Sequence, residues 1–339
     1  MVLGLGVACV GLELSLRLFA PQPKSWLEIF QVLPDPLCFG FIPGVQCTVD
    51  TGDADWSVRT DQSGRRVDSA TAPAPDRPSP GASADETVPV IGDSFVFGHG
   101  VDYGQGFVGL LNALPESRSR FQNEGVPGYG PIQYRSLLER ELAGPAQPRA
   151  VVVVSYVGND FFDCVWDKHP IISNGTLGDR GGVRSLLKRK SHLYRLASRL
   201  WHRFGPQSKE ANVEPMYRSA DWLQEPLSRA KDVFQSEFRG MRDACEARSV
   251  PFIVVLIPPV EEVKHAGEPQ GPLQYDLPTR MAHEVLESLH VTFVDATAAL
   301  SKGGCKQCFL PVDGHLSTRG NEILRDCILA EIRKVPGWQ

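Results

Sequence analysis

The sequence lacks the features that mark several large classes of protein. Its 35 Lys and Arg are outnumbered by 40 Asp and Glu, so there is no basic excess for binding nucleic acid. No predicted strand is followed by a glycine-rich phosphate-binding fingerprint, which disfavours a nucleotide binder. Cys305-Lys-Gln-Cys308 has no second Cys-x-x-Cys or metal-spaced histidine pair beside it. We therefore predict neither a zinc site nor a cofactor.

Cysteine is also scarce, because eight in 339 residues are too few for a disulfide scaffold. In an exported protein, Cys38 with Cys47 or Cys305 with Cys308 could form isolated disulfides, and free thiols are the alternative. Hydrophobic residues make up 42% of the chain, which is ample material for the core of a globular protein.

The first 20 residues, MVLGLGVACVGLELSLRLFA, are mostly apolar and long enough to cross a bilayer as a helix. Glu13 and Arg17 interrupt this run at a spacing that lets them pair. No basic segment precedes the run and no small-residue cleavage site follows it, so a cleaved signal peptide is not predicted. We predict an N-terminal membrane-anchor helix over residues 1–20, and a helix buried in the protein is the alternative.

The rest of the chain divides into an irregular region and a regular one. Residues 21–86 begin with short apolar runs broken by Pro and Gly, which predicts strands and loops. They end in the linker-like SATAPAPDRPSPGASADE. From residue 87 onward, strands and helices alternate, which predicts an α/β fold with a parallel sheet covered by helices. The predicted strands are 88–91, 120–123, 150–157, 251–257 and 291–294, with helices at 132–142 and 321–332. We assign residues 87–335 to this domain.

An insertion at about residues 161–230 contains a predicted basic amphipathic helix, 183–204. Apolar residues recur at helical spacing, and the other side carries Arg184, Lys188, Arg189, Lys190, Arg195, Arg199 and Arg203. Two interpretations stay open. The helix could bind an anionic membrane surface or an acidic polymer, or it could be a lid packed on the domain with a solvated cationic face.

One stretch carries the strongest chemical signal: Val88-Pro-Val-Ile-Gly-Asp-Ser-Phe-Val-Phe-Gly98. The apolar run predicts a buried strand, and Phe95 can begin a helix. Ser94 would then lie between the carboxyl end of a strand and the amino end of a helix, where ligands bind in open α/β sheets. The unpaired amides of the first helical turn can stabilise an oxyanion there.

Three more blocks follow in order: Asn123 with Gly128, Gly158-Asn159-Asp160, and Asp313-Gly-His315. Together with the Ser94 block they resemble the SGNH (GDSL-type) hydrolase superfamily over about residues 87–334. The resemblance implies a flavodoxin-like parallel sheet sandwiched by helices. The implied catalytic residues are Ser94, Asp313 and His315, and the implied oxyanion donors are the Ser94 amide, the Gly128 amide and the Asn159 side chain.

Two details refine this resemblance. The Gly-x-Ser-x-Gly elbow of the α/β-hydrolases is absent at Ser94. The Asp-x-His spacing, where many SGNH proteins have Asp-x-x-His, is similar to the polysaccharide O-acetyltransferase-type branch. Gly125 is the alternative to Gly128, and His99 is interpreted as structural.

The resemblance implies a serine esterase or O-acyltransferase that acts on an acyl ester of a glycan or other envelope molecule. The membrane anchor would hold its domain outside the cytoplasm. A lipid acylhydrolase or thioesterase using the same site is one alternative. A catalytically inactive binding module is another.

Overall fold

The computed structural model describes residues 2–50, 53–68, 87–114, 119–165, 172–173, 176–178, 181–204, 226–268, 273–336 and 338. The predicted linker at residues 69–86 lies outside the described residues.

The N-terminal part consists of one long helix and short strands. The elements are α1 (Val2–Phe19), β1 (Lys24–Ser25), β2 (Phe30–Val32), β3 (Phe39–Phe41), β4 (Gln46–Asp50) and β5 (Asp55–Arg59), with a 3-10 helix at Trp26–Ile29. β4 pairs with β1 and with β5, while β2 pairs with β3. We call residues 21–68 the N-terminal region; it has the strands and loops that its composition predicts.

The central sheet has five strands, all parallel, in the order β12-β11-β8-β6-β7. They are β6 (Thr87–Gly92), β7 (Arg120–Gly125), β8 (Val151–Tyr156), β11 (Phe252–Ile257) and β12 (Thr292–Asp295). Four consecutive valines begin β8 and all are fully buried, as expected for a strand covered on both faces. The prediction of an α/β fold with a central parallel sheet is therefore confirmed.

Helices cover the sheet on both faces. Between β6 and β8 lie α2 (Ser94–Phe97), α3 (Phe107–Asn112) and α4 (Pro131–Leu142); between β8 and β11 lie α5 (Asp160–Asp163), the β9–β10 hairpin (Ile172–Ser173 and Thr176–Leu177), α6 (Val183–Lys190), α7 (His192–Phe204) and α8 (Pro226–Glu246); after β11 come α9 (Val260–Lys264), α10 (Leu277–Ser288), α11 (Thr297–Gly303), α12 (Cys305–Cys308) and α13 (Thr318–Ile332). Along β8, Val151 and Val153 join one core cluster while Val152 and Val154 join the other, because successive side chains of a strand point to opposite faces.

The insertion helix differs from the prediction in two ways. The expected single helix over 183–204 is two helices, α6 and α7, which meet at Ser191. Two arginines of α7 are also bound to the N-terminal region instead of being solvated. Arg195 pairs with Glu28 at 3.0 Å, and Arg199 pairs with Asp50 at 2.9 Å and with Asp55 at 2.7 Å. The expectation of a solvated cationic face therefore fails for Arg195 and Arg199, because the N-terminal region supplies carboxylates to that side of α7. It holds for Arg184 and Lys190 of α6, which are exposed.

The first helix, α1, packs against α7 through one side only. Of its described side chains only Leu16 is buried, and the predicted pair of Glu13 with Arg17 is present at 2.8 Å. Glu13 also accepts hydrogen bonds from the Ser191 hydroxyl and from the His192 and Leu193 amides at the start of α7. Within the described part of the chain, no helix combines the length and apolarity needed to cross a bilayer.

Candidate active site

Ser94 begins α2, directly after the end of β6. Asp93 is the N-cap of this helix, and its Oδ1 accepts a hydrogen bond from the Phe95 amide at 2.9 Å. The short apolar strand and the Asp cap therefore determine where the strand ends and the helix begins. Ser94 is half-buried while the residues around it are buried, so its hydroxyl lies at the surface of a packed core.

The position of Ser94 in the sheet coincides with a topological switch point. β6 and β8 are neighbours, yet the chain leaves β6 toward β7 at one edge and leaves β8 toward β11 on the other side. A crevice opens at the carboxyl ends of two such strands. Ser94 follows β6 and Asn159 follows β8, so both predicted site residues lie at this crevice.

His315 connects Ser94 to Asp313. Its Nε2 lies 2.7 Å from the Ser94 Oγ, and its Nδ1 lies 2.5 Å from Asp313 Oδ2. Because an ionised carboxylate can only accept, Nδ1 carries a proton and Nε2 is left to accept the serine proton. Burial alone would raise the pKa of Asp313, but the hydrogen bond and charge of His315 outweigh it and lower that pKa below its ordinary value. The geometry is that of a Ser-His-Asp triad.

The imidazole ring of His315 is held between two other rings. Phe95 lies on one side with ring centroids 4.8 Å apart, and His99 lies 4.6 Å away. Phe95 follows the proposed nucleophile directly in sequence, so α2 supplies both the hydroxyl and a ring that packs on the base. This packing restricts the rotation of His315 about its side-chain bonds.

His99, interpreted from sequence as structural, contacts the triad. Its Nε2 lies 3.6 Å from Asp313 Oδ2, and its ring makes edge contacts with Trp26 and Trp56. Burial, assisted by the charge of His315, lowers the pKa of His99 to about 3. His99 is thus neutral at physiological pH and adds no positive charge beside His315.

The loop after β7 carries Gly128 at a φ of +86°, a conformation that glycine adopts without strain. The Val126 amide donates to the Gly92 carbonyl at 3.1 Å, which fixes this loop at the end of β6. Gly125, the alternative oxyanion donor, has its amide occupied by Asn123 Oδ1 at 3.1 Å. A Cβ at Gly125 would also lie 2.1 Å from the Phe97 amide nitrogen. Gly125 therefore serves close packing, and Gly128 stays the predicted donor.

Asn159 is oriented by a buried carboxylate. Its Nδ2 donates to Asp93 Oδ2 at 3.3 Å, which uses one of its two N–H groups and leaves the other for a ligand. Asp93 is fully buried, and burial raises its pKa against the opposing bond from the Phe95 amide. The next residue, Asp160, is fully buried and accepts hydrogen bonds from the Ser155 and Tyr134 hydroxyls. Burial together with the charge of Asp93 raises the pKa of Asp160.

Two residues of the N-terminal region support the site, and sequence reasoning assigned neither. Asp53 accepts hydrogen bonds from the Val312 amide at 3.0 Å and the Asp313 amide at 2.9 Å. Arg66 is fully buried and donates to the carbonyls of Phe97, Gly98 and Val101, each at 2.6 Å. A guanidinium at the carboxyl end of a helix binds the carbonyls that the helix leaves unpaired. Both residues lie in a region whose sequence resembles ordinary turns, so no sequence motif identified them as part of the site.

A metal is the other chemistry that this cluster could hold. His99, Asp313 and His315 offer ligand atoms within 4.8 Å of one another, the only such group among the described residues. Both ring nitrogens of His315 are already engaged by Ser94 and Asp313. The same atoms thus satisfy the hydrogen bonds of a triad without requiring an ion.

Comparisons with known proteins yield matches only among solved structures. No protein-family model matches the chain, and no curated protein does. The matched structures include LAE5, an α/β hydrolase from the Lake Arreo metagenome (16% identity, 74% of this chain and 95% of that one, TM-score 0.42). They also include a putative arylesterase from Agrobacterium tumefaciens (15% identity, 74% of this chain and 99% of that one, TM-score 0.41). TesA matches with 16% identity over 74% of this chain and 99% of its own, at a TM-score of 0.42. At such low identity and TM-score, these similarities leave the question of function to the geometry of the site.

Proposed function

We propose that the protein is a serine-dependent ester hydrolase or O-acyltransferase of the SGNH type. The observation that carries this proposal is the continuous contact from Ser94 Oγ through His315 to Asp313, at 2.7 Å and 2.5 Å. This contact also counts against a catalytically inactive binding module, because a protein that only binds a ligand does not need a base at its serine.

The reaction follows from the groups present. The Ser94 oxygen attacks the ester carbonyl while His315 Nε2 takes its proton, and the protonated His315 then donates that proton to the leaving alcohol. Asp313 stabilises the transient imidazolium and keeps its proton on Nδ1. In the second half, water or an acceptor hydroxyl gives its proton to His315 and attacks the acyl-serine. The tetrahedral intermediate then collapses as His315 returns that proton to Ser94 Oγ, which releases the acid or the new ester and restores the Ser94 hydroxyl.

Three donors would stabilise the oxyanion of the tetrahedral intermediates. They are the Ser94 amide at the first turn of α2, the Gly128 amide, and the free N–H of Asn159. Asp93 supports two of them, since it caps α2 and bonds the Asn159 amide. We assign it a positioning role.

The Asp-x-His spacing favours an acyl ester of a glycan or similar envelope molecule as the substrate, on its similarity to the O-acetyltransferase-type branch. A lipid acylhydrolase or thioesterase is the second outcome that the test below distinguishes. Attachment to a membrane through residues 1–20 and an extracytoplasmic location stay predictions from the sequence, separate from the esterase proposal.

The test is labelling with a fluorophosphonate probe, which reacts with an activated serine. We expect the wild type to be labelled and Ser94→Ala to be unlabelled. The matched control Ser288→Ala removes a hydroxyl on α10 that donates to the Val285 carbonyl and accepts from Gln235 Nε2, and it should label like wild type. Turnover of acetylated glycans and of long-chain esters then separates the two substrate classes. A folded wild type that takes no label and hydrolyses no ester would instead support a binding module.

A further inference from the structure

The helix α7 presents its two faces in an unusual way. Its cationic side points into the protein, where Arg195 and Arg199 pair with Glu28, Asp50 and Asp55. Residues 197, 200 and 201 lie on the other side of the helix, because i, i+3 and i+4 share one face. Of these, Leu200 is 48% exposed and Trp201 is 66% exposed. The apolar side of α7 therefore faces outward.

The neighbouring helices repeat this arrangement. On α6 the exposed apolar residues are Val183, Leu186 and Leu187, again at i, i+3 and i+4. On α1, Leu16 faces the protein, and the opposite side carries Val7, Val10, Leu14 and Leu18, each more than half exposed. Single exposed apolar residues are normal on protein surfaces, but outward apolar stripes on three adjoining helices mark an interaction surface.

These helices are fastened to one another by polar contacts on their inner sides. Glu13 of α1 accepts from Ser191, His192 and Leu193 at the start of α7, and Arg17 donates to the Lys190 carbonyl at the end of α6. Desolvation alone would raise the pKa of Glu13, but these hydrogen bonds outweigh it and lower the pKa to about 2. The contacts therefore stabilise the ionised form of Glu13. The outward apolar residues thus belong to one connected unit, which we call the α1–α6–α7 face.

Charge identifies what covers this face. Residues 183–204 contain no Asp or Glu. Arg195 and Arg199 are paired with carboxylates on the inner side, whereas Arg184 and Lys190 are exposed on α6. A second copy of the chain would bring these positive charges against their own kind, whereas an anionic lipid surface complements them. A bilayer interface also accepts apolar stripes from several helices without a matching groove, and Trp is favoured at that depth.

We propose that the α1–α6–α7 face docks the protein on the interface of an anionic lipid bilayer. The outward apolar side chains enter the boundary between headgroups and acyl chains, and Arg184 and Lys190 contact the headgroups. Ser94 takes no part in this docking, so the inference stands apart from the esterase proposal.

The test is co-sedimentation of the full chain with phosphatidylcholine vesicles, with and without phosphatidylglycerol. We expect binding to the anionic vesicles to exceed binding to the neutral ones. Arg184→Glu/Lys190→Glu should weaken binding at least about 25-fold, since each basic residue at such a surface contributes about fivefold. The matched control Lys302→Glu/Lys306→Glu makes the same charge change on α11 and α12 and should weaken it by less than about threefold.

A second pair of variants tests the apolar contribution. Trp201→Gln should weaken binding about tenfold by removing a buried aromatic ring, while Val32→Gln, at a 67% exposed position of β2, should leave it unchanged. Unaltered thermal midpoints and fluorophosphonate labelling would show that the variants are folded. Equal binding to both vesicle types, or equal losses in variant and control, would overturn the proposal. Self-association that Trp201→Gln abolishes would replace the bilayer with a second copy.

Discussion

The central sheet and the N-terminal region contribute to the candidate site in different ways. The sheet carries Ser94 and Asn159 at the ends of adjacent strands, where the fold itself opens a crevice. The N-terminal region contributes supporting groups: Asp53 binds the backbone at Asp313, Arg66 binds the backbone after Ser94, and Trp26 with Trp56 encloses His99. In the proposed reaction the sheet supplies the reacting groups, and the N-terminal region restricts the motion of those groups.

The connection between the two parts runs through the core. Arg65 of the N-terminal region pairs with Glu124, which is buried at the end of β7, and with Glu141 of α4 at 2.8 Å. Arg140 also pairs with Glu124, at 2.8 Å. A buried carboxylate is costly unless it is paired, so docking of the N-terminal region through Arg65 adds to the stability of β7. This difference predicts large losses for changes on the sheet and smaller, conditional losses for changes in the N-terminal region.

The largest effect should come from the reacting pair. Ser94→Ala and His315→Ala should each lower kcat by about 10⁴-fold or more, because the nucleophile and its base act as a unit. The double variant should be hardly worse than either single one. Steady-state kinetics on the best ester substrate would measure this. Multiplicative losses in the double variant would show that the two residues act separately.

The next largest effect should come from Asn159, the proposed oxyanion donor that follows β8. Asn159→Ala should lower kcat by about 10²–10³-fold with the fold intact, the usual cost of one such donor. Asn159→Asp should be worse, since a carboxylate there repels the developing negative charge. If Asn159→Ala changed KM alone, Asn159 would contribute to substrate binding in the ground state. It would then not be an oxyanion donor.

The pH dependence of stability tests the enclosure of His99. The pKa of His99 falls from 6.5 to about 3 on folding, so below pH 6.5 the unfolded chain binds a proton that the native protein refuses. Wild-type stability should therefore fall as the pH drops from about 6.5 toward 3, by about 1.4 kcal/mol per pH unit for this residue. In urea unfolding at pH 5, the His99→Phe variant should lose about 2 kcal/mol less free energy of unfolding than the wild type, relative to neutral pH. Parallel curves for the two proteins would contradict the assignment.

The smallest effect should come from the support of the Asp313 loop. Asp53→Ala removes two hydrogen bonds to the backbone of Val312 and Asp313, and we expect kcat to fall about tenfold with little change in KM. Asp61→Ala is the matched control, since Asp61 accepts two backbone bonds within the same region, from Ser63 and Arg65. Equal effects of the two changes would mean that the N-terminal region acts through stability alone.

The strands of the sheet could be predicted from the sequence because their determinants are local. An apolar β-branched run such as residues 151–154 can only be covered on both faces, and a Gly-Asp-Ser turn after such a run defines where a helix begins. The triad could be predicted only through the resemblance, since 221 residues separate Ser94 from His315 and no periodicity links them. Their contact at 2.7 Å agrees with that expectation, and the catalytic roles stay proposals until measured.

By itself the sequence determined the alternation of strands and helices, the chemical identity of the candidate site and the amphipathic character of residues 183–204. Only the tertiary structure decided which way that amphipathic segment faces, because helical spacing groups residues on a side without saying what meets each side. Carboxylates from Glu28, Asp50 and Asp55 hold Arg195 and Arg199 of α7 inward, and Leu200 and Trp201 on the other side are exposed. The support given by Asp53 and Arg66 was likewise decided in three dimensions, since hydrogen bonds to a distant backbone leave no pattern in the sequence.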